Sequence, residues 1–81
     1  MKIWTLLRAP ACDKADDAFT ELCGWWRDKP TLDTIAKTIG LAPSFALTAE
    51  VIDGLAKVYA GSYALIGESH YRLKHLKEGA L

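Results

Sequence analysis

The chain has 81 residues, half of them hydrophobic, with ten acidic and ten basic side chains and a formal net charge of zero. That size bounds it to one domain over 1–81, and the missing basic excess argues against a general polyanion binder. Three Trp, three Tyr and two Phe supply enough apolar area for a core without a metal or disulfide staple.

The first element is a strand. "KIWTLLR" is β-branched, aromatic and aliphatic, and alternation sends Ile3, Thr5 and Leu7 to one face and Trp4 and Leu6 to the other. Both faces are apolar, as in a strand covered on each side or lying centrally. Arg8 interrupts the apolar run before it could serve as a signal, and no run reaches membrane-spanning length, so the expected setting is cytoplasmic with no membrane partner. Cys12 and Cys23, the only cysteines, are expected as reduced thiols.

Pro10 breaks the strand. A first helix is then expected from Asp13, a suitable N-cap, until Pro30 ends it, with Asp16 and Asp17 in the first turn where the helix dipole favours them. Ala15, Ala18, Phe19, Leu22, Trp25 and Trp26 recur at helical spacing, and Gly24 falls on the expected exposed side without a local reason. Thr31 caps a second helix that turns Leu32, Ile35, Ala36 and Ile39 inward and stops at Gly40. A third is expected from Pro43 or Ser44 to Tyr59. Its stripe of Phe45, Ala49, Ile52, Ala56 and Tyr59, widened by Leu47, Val51, Leu55 and Val58, makes it a core helix with a narrow polar strip at Glu50, Asp53 and Lys57 beside Gly54. "GSYALIGESHYRLKHL" then reads as a β-hairpin turning at Gly67, Glu68 and Ser69. The expected fold is α+β: a three-helix core with an N-terminal strand and a C-terminal β-hairpin forming a small antiparallel sheet.

From Leu32 to Lys57 the chain resembles a helix-turn-helix, and with the hairpin behind it a winged helix. Ile35 and Ala36 stand where that family places an aliphatic and a small residue, Gly40 and Leu41 occupy the turn, and Ala46 and Ala49 fall where the second helix packs back. The resemblance implies a DNA-binding transcriptional regulator in which residues around Ser44 enter a major groove and the hairpin touches phosphate. The polar strip of that helix argues otherwise, because it offers two carboxylates and no Arg, Asn or Gln to read base edges. Arg72, Lys74 and Lys77 are the better phosphate-contact candidates, although charge on an edge strand also guards against aggregation.

No catalytic or metal-binding constellation emerges. Cys12, Cys23, His70 and His75 lack zinc-site spacing, Ser69 beside His70 lacks an elbow or oxyanion loop, and no phosphate-binding loop or cofactor fingerprint is present. The chain therefore reads as a non-catalytic, cofactor-free module that binds another protein, a compact regulator or inhibitor of the sort carried by phages. Trp25 is the leading anchor, because Trp is enriched at binding hot spots, and Trp4, Tyr63 and Tyr71 would extend its patch. Homodimerisation through the hairpin edge is a further option.

Overall fold

The computed structural model describes residues 2–10, 12, 18–41 and 48–77. They form an α+β fold of four strands and two helices: β1 (Lys2–Pro10), β2 (Glu21–Trp26), α1 (Leu32–Ile39), α2 (Ala49–Tyr59), β3 (Tyr63–Ile66) and β4 (Ser69–Lys77). The sheet is antiparallel throughout with strand order β2-β1-β4-β3.

Among the described residues the three-helix core expected from the sequence is not present. Glu21–Trp26, placed there in a first helix, is strand β2 paired to β1. The expected start of that helix, at 13–17, lies outside the described residues. In a window this short, apolar spacing suits either period, and pairing with a β1 that is apolar on both faces decides for strand. Gly24 marks the choice. It lies opposite Leu6, and a Cβ there would sit 3.0 Å from Trp26 Cη2 and 3.1 Å from Thr38 Cγ2, so the bare backbone is what lets Trp26 and α1 close over β2.

β1 and β4 are the central strands, paired without interruption from Lys2↔Lys77 to Pro10↔Ser69. Thr5, fully buried between them, donates its hydroxyl to the Lys74 carbonyl at 3.0 Å, so its polar atom is satisfied. Because β4 is interior, Arg72 and Lys74 do not guard an edge; the edges are β2 and β3. The β3–β4 hairpin turns on two residues, Gly67 and Glu68, and Ser69 belongs to the strand. Gly67 has φ +68° and, among the described residues, no non-glycine residue has positive φ, so Glu68 does not, the signature of a type II′ turn.

Both helices lie on one face, α1 beside β2 and α2 over β3 and β4. Thr31 caps α1 by accepting from the Thr34 amide at 3.2 Å, and Gly40 ends it in the left-handed conformation with φ 92°. Ile35 and Ala36 are buried as expected, but Leu32 is exposed. α2 has Thr48 as its N-cap, accepting from the Val51 amide at 3.2 Å. Its rotation differs from the sequence expectation. Val51, Gly54, Leu55 and Val58 turn inward, while Ala49, Ile52, Ala56 and Tyr59 are exposed. Gly54 is the reason: a Cβ there would meet Ile66 Cγ1 at 3.2 Å, so the glycine that resembled part of the polar strip is a point of close approach of helix to sheet. α2 is thus an amphipathic surface helix, and Phe45 and Leu47 of the expected stripe lie outside the described residues.

The main core gathers Leu6, Ile35, Leu55, Val58, Ile66, Tyr71 and Leu73 between helices and sheet. A smaller cluster of Leu7, Ala9 and Phe19 lies on the other face.

Candidate interaction surface

The register sorts the candidate residues by face. Trp4, Leu6, Arg8, Tyr71 and Leu73 share the helix-covered face, whereas Thr5, Leu7, Ala9, Leu22, Trp25, Tyr63, Leu65, His70, Arg72 and Lys74 share the second. The middle of the second face is closed, with Ile3, Thr5, Leu7 and Ala9 buried. Its two flanks are not. On β2, Trp25 is 50% exposed and Leu22 is exposed beside it; on β3, Leu65 is 54% exposed and Tyr63 is exposed beside it.

Of the four aromatic residues expected to form one binding patch, two therefore share a face and stand at its opposite edges. Tyr63 lies against Phe19, with ring centroids 6.2 Å apart, and edge-on to His70 at 5.9 Å. Tyr71 is buried in the main core and hydrogen-bonded to Arg8. Trp4 lies on the helix side, stacked on His75 at 4.2 Å, with the Lys29 ammonium 5.3 Å from its ring centroid and 4.0 Å from that of Tyr59. That arrangement is internal: it ties the β2–α1 connection to β1 and α2 through cation–π attraction. Leu22 and Leu65 were missed at the sequence level, the first absorbed into a helical stripe and the second into a strand without an assigned face.

Among the basic candidates, Arg72 and Lys74 sit half-buried on β4, and both are engaged in interactions. Lys77 is exposed at the strand end opposite Lys2. Ser44 lies outside the described residues. The exposed strip of α2 bears Glu50 and the ion pair of Asp53 with Lys57 at 3.5 Å.

Chemistry is sparse elsewhere. His70 Nδ1 lies 3.3 Å from the Pro10 carbonyl, and its ring projects from the face opposite to that of neighbouring Ser69, so the two form no dyad. Cys12 and Cys23 are free, and burial pushes the Cys23 thiol up, which disfavours the nucleophilic thiolate. A cleft of about 500 Å³ opens between the β1 end and the β2 start, lined by Arg8, Pro10, Ala18, Thr20, Glu21 and Ser69. The Arg8 guanidinium is bound to Glu21 through Nε, which holds the Glu21 carboxyl below its usual range and Arg8 above its own. The cleft thus presents a neutralised pair and not a lone cation. Among the described residues, no group of three metal-ligating side chains converges, and no helix is long and apolar enough to cross a membrane.

No family model matches this chain, and no curated protein or solved structure matches it either.

Proposed function

We propose that the protein is a non-catalytic binding module, a small regulator or inhibitor that captures another protein in the cytoplasm through the β2 flank of the sheet. The observation that carries this reading is Trp25, half exposed on an edge strand with exposed Leu22 beside it. Covering the exposed half of such an indole removes roughly 100 Å² of mostly apolar surface from water, about 2.5 kcal/mol. That magnitude is typical of an interface hot spot.

The test is affinity capture from a host lysate by the wild-type chain and by Trp25→Ala, each with and without nuclease. A protein retained by the wild type after nuclease, and lost from a Trp25→Ala chain with an unchanged unfolding midpoint, is the expected result. Identical capture by both chains would refute the proposal.

A second reading, a regulator that contacts duplex DNA, draws on Arg72 and Lys74 sharing one sheet face. It stands second because that face lies away from α2, leaving no helix beside the two cations to enter a groove, and Glu50 and Asp53 on the exposed side of α2 would repel phosphate. Under it, Arg72→Ala with Lys74→Ala weakens duplex binding and flattens its salt dependence; no duplex binding by the wild type at low salt removes it.

A further inference from the structure

The two sheet edges are unequal. β2 is guarded: its register with β1 shifts at a bulge between Leu6 and Leu7, and it begins with Glu21, bound to Arg8. Bulges and charges are the devices that keep a sheet edge from pairing with another chain. β3 has neither. Tyr63–Ile66 contains no charge and no proline, its register with β4 is unbroken, and no described strand lies beyond it.

Hairpin geometry fixes which β3 groups point outward. In a two-residue hairpin the closing pair, here Ile66↔Ser69, exchanges both main-chain hydrogen bonds, and the next such pair is Ala64↔Tyr71. The N–H and C=O groups of Tyr63 and Leu65 are therefore directed away from β4. Their side chains are also the exposed ones on the second face, whereas Ala64 and Ile66 are buried under α2.

We propose that β3 pairs antiparallel with β3 of a second copy of this chain, joining two four-stranded sheets across a twofold axis. The occupant is a second copy because the edge is self-complementary. Rotation about Ala64 sets Tyr63 opposite Leu65 of the partner, and Leu65 opposite its Tyr63, an aromatic–aliphatic cross-strand pair repeated twice. It also places small Ala64 against its own copy on the helix side, where α2 approaches through Gly54. The edge is uncharged and the chain has net charge zero, so two copies meet without the repulsion that separates charged domains. A four-residue strand gives a small interface, so the dimer is weak and concentration-dependent.

Sedimentation velocity on the full chain over rising concentration tests the pairing. The wild type is expected to shift from monomer to dimer, Leu65→Lys to stay monomeric because it removes the aliphatic half of both Tyr63–Leu65 pairs and puts a lysine on the edge strand, a device that discourages strand pairing, and Trp25→Ala to dimerise like the wild type. Register is read separately by mixing a Tyr63→Cys chain with a Leu65→Cys chain, both in a Cys12→Ser, Cys23→Ser background. The mixed disulfide is expected to form ahead of either symmetric one, because directly opposed residues lie within bridging distance. A wild-type chain still monomeric at about 1 mM, a concentration at which contacts of only ~4 kcal/mol half-populate a complex, overturns the proposal. So does a dimer that survives Leu65→Lys.

Discussion

The rotation of α2 can be tested by truncating two nearby positions, one within the inward face of the helix and one just beyond its margin. Leu55 is 2% exposed and belongs to the main core, while Ile52 is 48% exposed. Leu55→Ala removes three buried carbons and leaves a void that the sheet cannot follow inward, a change that costs about 2–5 kcal/mol. Ile52→Ala removes as many carbons, each worth about 0.8 kcal/mol when fully buried, so about half that sum, ~1.2 kcal/mol, is at stake. The higher helix propensity of Ala returns a few tenths of that, leaving a loss of about 1 kcal/mol or less. A domain of this length has ~4–12 kcal/mol in total, so Leu55→Ala removes a large fraction of it and Ile52→Ala does not. Urea unfolding followed by far-UV circular dichroism reads both values at a common slope. In thermal unfolding, each kcal/mol corresponds to about 4–8 °C, so the midpoint of Leu55→Ala should fall by about 8 °C or more. Equal losses, or a larger loss at Ile52, would mean that the helix presents its Ile52–Tyr59 side to the sheet, and the inward role given to Gly54 would be wrong.

Two other perturbations bear on the β2 side. The Glu21 carboxyl is held below its ordinary pKa by Arg8, so its contribution is present above the unfolded carboxylate range and is lost as pH falls through the lowered folded value. Glu21→Gln should therefore flatten the acid limb of the wild-type stability profile and leave its alkaline limb unchanged; parallel profiles would show that the pair adds nothing. Gly24→Val should destabilise by about 1–3 kcal/mol despite the better strand propensity of valine, because its Cβ alone meets the Trp26 ring at 3.0 Å. Tryptophan emission should shift with it as Trp26 is displaced, and a neutral or stabilising outcome would refute the close approach.

Much of the local structure was legible in the sequence because it depends on neighbours in the chain. The two apolar faces of β1 follow from alternation, the Thr31 cap and Gly40 stop from helix-end chemistry, and the hairpin from a glycine between alternating strands. Tertiary contacts decided the rest. Residues Leu22, Trp25 and Trp26 have spacing that fits a helix, yet they are on a strand because β1 needs a partner on its free edge, and that demand comes from a segment far off in sequence. The same long-range packing made Gly24 and Gly54 points of close approach, not gaps on polar faces. It also divided the aromatic residues, burying Tyr71, enclosing Trp4 and leaving Trp25 and Tyr63 at opposite edges of one face. A sequence specifies which side chains can share an element; which of them meets solvent depends on what the rest of the chain brings over it.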